Sequence, residues 1–259
     1  MHEFTKLKGI LFDLDGVLYV GDQPINGAIE AIAKVRNSHL NCRFVTNTST
    51  LSIASLSKKL QSLSFDIPES EIISAPQAAF RYLKKRGDPV CRLLLAHDVK
   101  KDFSDFRQSD TAAEYIVIGD IGDAWSYPLM NEVFNCLMNG AELIAIHKNR
   151  FWQTEHGLQM DIGGFIKALE YASGHDAIII GKPSKDFFQI ALEDMNLDAE
   201  EVMMIGDDID SDVGGAQAVG LMGVLVRTGK FRQSYADASS IRPTAVIGSI
   251  ADLPALLDL

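Results

Sequence analysis

Short, continuous apolar runs alternate with amphipathic stretches along this chain of 259 residues. Runs that are apolar throughout, rather than at every second position, are typical of strands buried on both faces. Strands that alternate with helices predict a parallel sheet covered by helices, the doubly wound, Rossmann-like α/β class. The predicted strands outside the middle of the chain are 9–12, 42–45, 177–180, 202–205, 223–226 and 245–247.

The first predicted helix follows the first strand. Ile25, Ile29, Ile32 and Val35 recur at spacings of 4, 3 and 3 residues, and Asn26 is a candidate N-cap. Such spacing places apolar side chains on one face of a helix. Further helices are expected over 51–63, around 188–195, over 212–219 and near 253–257.

The middle of the chain, 76–174, repeats the same alternation on a smaller scale. Strands are predicted at 92–95, 115–118 and 143–146, with helices around 78–84 and 129–138. We therefore predict a discontinuous core of 1–75 and 175–259, interrupted by a smaller α/β domain of 76–174.

Composition limits the partners and the compartment. The net charge is −11 and the isoelectric point is about 4.9, which disfavours nucleic acid and anionic membranes as partners. The apolar runs are far shorter than a bilayer span, and no signal-peptide pattern precedes them. Three dispersed cysteines without a CxxC pair fit a reducing compartment better than a zinc site. A cytoplasmic protein is expected.

Polar residues follow two of the predicted strands directly. Asp13 and Asp15 follow the first strand and precede Gly16, while Thr46 and Asn47 follow the second. Ligands of open parallel sheets bind beyond the carboxyl ends of the strands. Taken singly, the first motif is also compatible with a turn, and the second with a helix N-cap.

Two later strands end in the same way. Lys182 lies in Gly-Lys-Pro after 177–180. A phosphate-binding loop of the Walker type is excluded, because Asp176 and Pro183 occupy the positions where that motif requires Gly and Ser or Thr. Asp207 opens an acidic segment after 202–205 that includes Asp212. An EF-hand is excluded there, because Val213 and Val219 replace the required Gly and Glu.

Together, these four strand ends would bring several carboxylates to one edge of the sheet. Two carboxylates about 4 Å apart repel by roughly 4 kcal/mol at an effective dielectric constant of 20. A cation is therefore expected among them, and oxygen ligands with room for water and phosphate favour Mg²⁺.

The four motifs resemble those of the haloacid dehalogenase-like hydrolases, in the same order. The matching segments are Asp-Leu-Asp-Gly-Val-Leu from Asp13, Val-Thr-Asn around Thr46, Gly-Lys-Pro around Lys182 and Gly-Asp-Asp from Gly206. The 136 residues from Thr46 to Lys182 match the subgroup with a large α/β cap between the second and third motifs. The chain looks closest to the group with the N-acetylglucosamine-metabolism phosphatase, the 4-nitrophenyl phosphatases and the haloacid dehalogenase-like hydrolase domain-containing protein 2.

This resemblance implies a hydrolase of phosphoric monoesters that depends on Mg²⁺. Asp13 would attack phosphorus to give an aspartyl-phosphate, and Asp15 would serve as general acid and then general base. The remaining implied roles are phosphate binding by Thr46, Asn47 and Lys182, metal binding by Asp13, Asp207 and the carbonyl of Asp15, and support of the lysine or a metal-bound water by Asp212.

Three other functions were weighed against a phosphomonoester hydrolase. A true dehalogenase is disfavoured, because a leaving halide needs neither an acid nor a metal. A phosphotransferase or phosphomutase shares the motifs, and a non-catalytic phosphometabolite-binding protein would share the fold. The expected partner is a small phosphomonoester, and the family implies a homodimer through the cap.

Overall fold

The computed structural model describes residues 4–154 and 157–259. Its strands, in chain order, are β1 (Gly9–Asp13), β2 (Tyr19–Val20), β3 (Gln23–Pro24), β4 (Asn41–Thr46), β5 (Ile72–Ser74), β6 (Cys91–Leu94), β7 (Tyr115–Ile118), β8 (Glu142–Ala145), β9 (Phe151–Thr154), β10 (Gly157–Met160), β11 (Ile178–Ile179), β12 (Val202–Gly206), β13 (Met222–Val226) and β14 (Ala245–Ile247). Its helices are α1 (Ala28–Asn37), α2 (Ile53–Ser62), α3 (Ala75–Lys84), α4 (Tyr127–Met138), α5 (Gly163–Ser173), α6 (Lys185–Met195), α7 (Gly215–Gln217), α8 (Gln233–Ala238) and α9 (Leu253–Leu256).

The chain divides into two units by its internal contacts. The first unit comprises Met1–Thr46, Ser57–Ile73 and Lys182–Leu259, and the second comprises Asn47–Leu56 and Ser74–Gly181. The sequence predicted 76–174 for the inserted domain, so the second unit is longer at its carboxyl end and takes in the short segment after β4. The role of 76–174 as a cap stays a prediction.

The sheet of the first unit is parallel at its centre. Its strand order is β14-β13-β12-β1-β4-β5, and β1 pairs in parallel with both β12 and β4. All five residues of β1 and all five of β12 are buried, as expected for strands covered on both faces. The predicted doubly wound α/β class is therefore confirmed.

Helix α1 differs in detail from its prediction. It begins at Ala28 behind Gly27, which has a φ of 77°, and Asn26 lies one residue before this cap. The buried face consists of Ala28, Ala31, Ile32 and Val35, whereas Ile29 is exposed. The sequence analysis expected Ile29 on the packed face of α1, but Ala28 and Ala31 lie there instead.

The second unit has its own parallel sheet and core. The strand order is β11-β8-β7-β6, with β9 and β10 forming an antiparallel pair. Residues of β7 and β8 pack with α4 and α5 in one apolar cluster that includes Ile116, Val133, Leu143 and Ile166. Among the described residues, no helix has both the length and the apolar character that a membrane crossing requires.

Candidate active site

Three adjacent strands of the first unit deliver polar side chains to one edge of the sheet. Asp13 is the last residue of β1, Thr46 is the last of β4, and Asp207 follows β12 directly. All three side chains are buried. Because β12, β1 and β4 are neighbours and parallel, their carboxyl ends lie together, as the sequence predicted.

Lys182 joins two of the carboxylates. Its Nζ lies 2.6 Å from Oδ1 of Asp13 and 2.7 Å from Oδ1 of Asp212, and all three side chains are buried. Burial alone would lower the pKa of Lys182, but the charges of Asp13 and Asp212 outweigh this effect and raise it. The lysine is therefore held as a cation beside Asp13.

Asp212 is placed by a wide helical turn, Ile209–Gly214, that follows Asp207 and Asp208. Its Oδ2 accepts a hydrogen bond from the backbone N–H of Asp208 at 3.1 Å, while its Oδ1 pairs with Lys182. The supporting role of Asp212 that the family resemblance implied stays a prediction. The sequence predicted an ordinary helix over 212–219, whereas the helical turns here are split between 209–214 and the short α7.

The donor set fits a hard divalent cation. Asp13, Asp207 and Asp212 each offer one carboxylate oxygen, and these atoms lie within 4.8 Å of one another. Oδ2 of Asp207 accepts from the N–H of Lys230 at 2.6 Å, but its buried Oδ1 has no hydrogen-bond partner in the described part of the chain. A buried carboxylate oxygen without a donor is costly unless a cation binds it. Oxygen-only ligands suit Mg²⁺.

Asp15 differs from these buried carboxylates because its side chain reaches solvent. Its carboxylate is not part of the oxygen cluster, so only its backbone carbonyl remains for the metal-binding role implied by the family. Partial burial, followed by the negative charge of Asp13, raises the pKa of Asp15 above its ordinary value. A raised pKa favours the protonated form that a general acid requires.

Two glycines allow the Asp15 turn to approach Asp207. Gly16 has a φ of 88° and Gly229 has a φ of 59°, which is the left-handed region that favours glycine. A Cβ at either position would overlap the carboxylate of Asp207. The hydroxyl of Thr228 also donates to the carbonyl of Gly16 at 2.5 Å.

The segment Thr228-Gly229-Lys230 also belongs to this site, although the sequence analysis assigned no role to it. It follows β13, the next strand of the sheet, so its position after a buried strand was the available signal. Asn47 belongs to the second unit, where its Oδ1 lies beside Gly181. Phosphate binding by Thr46 and Asn47 stays a prediction.

The unfolding free energy of the metal-free protein is expected to fall as the pH rises from about 4 to about 8. Burial, followed by the charge of Asp13, raises the pKa of Asp207 from 3.8 to about 8, and burial also raises that of Asp212. Between pH 3.8 and about pH 8, these two carboxyl groups bind more protons in the folded state than in the unfolded chain, so raising the pH favours unfolding. Urea unfolding in EDTA at pH 5, 6.5 and 8 measures this slope.

Added Mg²⁺ should flatten the same dependence, because a bound cation stabilises the ionised carboxylates. If the unfolding free energy in EDTA increased between pH 5 and pH 8, the buried carboxyl groups of Asp207 and Asp212 would not have raised pKa values, and the prediction would be wrong.

Comparison with known proteins assigns the family. Residues 10–106 match the family model described as haloacid dehalogenase-like hydrolase, and residues 179–253 match the model described as HAD-hydrolase-like. The chain therefore belongs to the haloacid dehalogenase-like hydrolases, and the predicted family and the predicted class of phosphate-ester hydrolase are confirmed.

Relatives and solved structures agree with this assignment. The human phospholysine phosphohistidine inorganic pyrophosphate phosphatase is 41% identical over 97% of this chain and 94% of its own length. The human haloacid dehalogenase-like hydrolase domain-containing protein 2 is 42% identical over 92% of this chain and 90% of its own. The p-nitrophenyl phosphatase from Archaeoglobus fulgidus is 27% identical and superposes with a TM-score of 0.91, covering 96% and 99% of the two chains.

Proposed function

We propose that this protein hydrolyses monoesters of phosphoric acid on small metabolites, with Mg²⁺ and through a phosphorylated Asp13. The observation that carries this proposal is the buried group of Asp13, Lys182, Asp207 and Asp212 at the carboxyl edge of the sheet. A cation of the protein already lies 2.6 Å from one oxygen of Asp13. This arrangement supports attack by Asp13 on a phosphate dianion that the carboxylates alone would repel.

Each residue then has a defined task. An oxygen of Asp13 forms a bond to phosphorus while the bond to the leaving oxygen breaks, and Asp15 gives its proton to that oxygen. Lys182 offsets negative charge on Asp13 and on the transferred group. In the second step Asp15 takes a proton from water, which attacks phosphorus and restores Asp13. We propose that Thr46 and Asn47 hold phosphoryl oxygens.

Asp13, Asp207 and the carbonyl of Asp15 would hold Mg²⁺. Asp212 would support Lys182, which it contacts, or a water molecule bound to the metal. When bound, Mg²⁺ supplies positive charge that orients the phosphate and stabilises the charge that develops in the transition state. The unsatisfied Oδ1 of Asp207 supports this assignment.

The first experiment measures the release of phosphate and of 4-nitrophenol from 4-nitrophenyl phosphate. We expect turnover with Mg²⁺ that falls by about 100-fold or more in EDTA. Equal amounts of the two products indicate hydrolysis, whereas less phosphate than 4-nitrophenol in the presence of an alcohol indicates transfer to that alcohol. Absence of turnover on every substrate below would favour a non-catalytic binding protein.

The substrate panel follows from chemistry and from the relatives. Sugar phosphates, nucleotides, glycerol phosphates and pyridoxal phosphate represent small phosphomonoesters. The name of the human relative includes phospholysine, phosphohistidine and pyrophosphate, so substrates with a P–N bond and inorganic pyrophosphate belong in the same panel.

A further inference from the structure

Three polar side chains of the second unit, Ser49, His147 and Asp161, form a buried row. Oγ of Ser49 lies 3.2 Å from Nε2 of His147, and Nδ1 of His147 lies 3.8 Å from Oδ2 of Asp161. Their exposed fractions are 4%, 5% and 9%. Polar groups withdrawn from water to this extent are costly unless they interact with other polar groups. The buried row therefore links three stretches of chain that are far apart in the sequence.

The backbone fixes His147 at the carboxyl end of β8. The residue before it, Ile146, donates its N–H to the carbonyl of Ile118 at 2.9 Å and accepts a hydrogen bond from the N–H of Gly181 at 2.7 Å. Ile118 ends β7, and Gly181 follows β11, the two strands on either side of β8. The imidazole is therefore carried by the end of the sheet and not by a free loop.

Asp161 is fixed at the other end of the buried row. Its N–H donates to the carbonyl of Arg150 at 3.1 Å, and its Oδ1 accepts a hydrogen bond from the N–H of Ile162 at 2.6 Å. Its Oδ2 faces His147 at a distance that makes the contact electrostatic and not a hydrogen bond. A carboxylate held beside one ring nitrogen orients the imidazole, so that the other nitrogen stays directed at Ser49.

The Ser49 end of the buried row belongs to the segment that follows β4. Asn47 lies in the same segment, and a Cβ at Gly181 would overlap both its Oδ1 and the carbonyl oxygen of Ile146. A Cβ at Gly119, which follows β7, would lie 3.6 Å from the Cβ of Ser49. Asn47 and Ser49 are therefore both seated at the carboxyl edge of the second sheet, beside the strand that carries the imidazole.

Ser, His and Asp also form the nucleophilic triad of many hydrolases, so a second active site has to be considered. Two observations disfavour it. Ser49 is buried, which keeps a substrate from its hydroxyl group, and the contact between His147 and Asp161 is longer than the hydrogen bond of such a triad. The geometry favours a link that holds a segment of chain over a nucleophile.

We propose that His147 is a positioning residue, which holds Asn47 ready for the phosphoryl group by fixing Ser49 two residues further along the chain. The proposal rests on the proposed function, in which Asn47 holds a phosphoryl oxygen. His147 does not touch the substrate. Its contribution is preorganisation, because a segment that is already fixed loses less conformational entropy when phosphate binds.

The inhibition constant of inorganic phosphate measures this contribution, because phosphate has no leaving group. In His147→Leu we expect this constant, and KM for 4-nitrophenyl phosphate, to rise by about tenfold. The change in kcat should be smaller, since Asn47 would contact the phosphoryl oxygens in the bound substrate and in the transition state alike. A purely structural role would instead lower the thermal stability and kcat while KM and the inhibition constant stay the same.

Three further variants show whether the contact with Ser49 is responsible. His147→Gln should recover most of the affinity for phosphate, because its amide group can take the place of Nε2 beside the hydroxyl of Ser49. Ser49→Ala, which removes only that hydroxyl, should raise the inhibition constant about as much as His147→Leu does. His175→Leu is the matched control, because His175 is exposed in the same unit, and it should bind phosphate like the original protein.

The route through Asn47 is tested in the double variant of Asn47→Ala and His147→Leu. If His147 acts through Asn47, its loss should raise the inhibition constant no further once Asn47 is absent. A tenfold rise that persists in the Asn47→Ala background would overturn the proposal, and so would normal phosphate binding by His147→Leu.

Two other results separate this proposal from the proposed function. If Asn47→Ala binds phosphate like the original protein, the role of Asn47 is wrong, and the role of His147 is wrong with it. If the protein hydrolyses no phosphate ester, the proposed function fails separately, and calorimetric titration of the same variants with inorganic phosphate and Mg²⁺ decides whether His147 supports phosphate binding.

Discussion

Asp13→Asn is expected to lower kcat/KM for 4-nitrophenyl phosphate by at least about 10⁴-fold, because a neutral amide cannot attack phosphorus as a carboxylate does. The fold should persist, since Lys182 keeps its ion pair with Asp212 and the replacement has nearly the same shape. Phosphate release measures the activity, and thermal unfolding followed by circular dichroism confirms the fold.

Asp210→Asn is the matched control for this variant. Asp210 lies in the same acidic segment as Asp207 and Asp212, but it is exposed and is absent from the oxygen cluster. It should keep most of the activity although it loses the same charge. If Asp13→Asn retained a tenth of the original activity, Asp13 would not be the nucleophile.

Lys182→Met is expected to damage both stability and activity. Removing one partner of a buried ion pair typically costs about 3–5 kcal/mol, because the remaining charge stays buried. Here the loss leaves Asp13, Asp207 and Asp212 close together without the cation that two of them contact. Urea unfolding in EDTA at pH 8, where more of these carboxyl groups are ionised, should show the full effect.

Two further measurements identify the cause of this loss. Asp212→Asn in the Lys182→Met background should recover part of the stability, because one buried negative charge is removed together with the lysine. Lys185→Met, three residues along and exposed at the start of α6, should unfold like the original protein. A Lys182→Met variant as stable as the original in EDTA would show that this lysine is not the counter-charge of the cluster.

The sequence predicted the central strands of the first unit well because burial determines their pattern, but it was wrong to assign 177–180 to the same sheet, since β11 pairs with β8 in the second unit. Strands β1, β4, β12 and β13 are covered on both faces, so their apolar runs are continuous and easy to locate. The same logic predicted that Asp13, Thr46 and Asp207 follow strand ends, and the parallel topology brings them together.

Other features depended on contacts that no local pattern contains. Ile29 has helical spacing, yet alanines fill the face of α1 that packs against the protein. The role of Gly229 follows only from its approach to Gly16, more than 200 residues earlier.

The central strand pairing also has a consequence for biosynthesis. Gly9 pairs with Val202 on one side and with Asn41 on the other, so the edge of β1 that faces β12 has no partner strand until 193 further residues have been synthesised. Closing so long a loop is entropically costly and slow, and the unpaired apolar edge is prone to aggregate in the meantime. A nascent chain that ends before β12 would therefore expose that edge and lack Asp207 and Asp212, so we expect it to depend on chaperones and to be inactive.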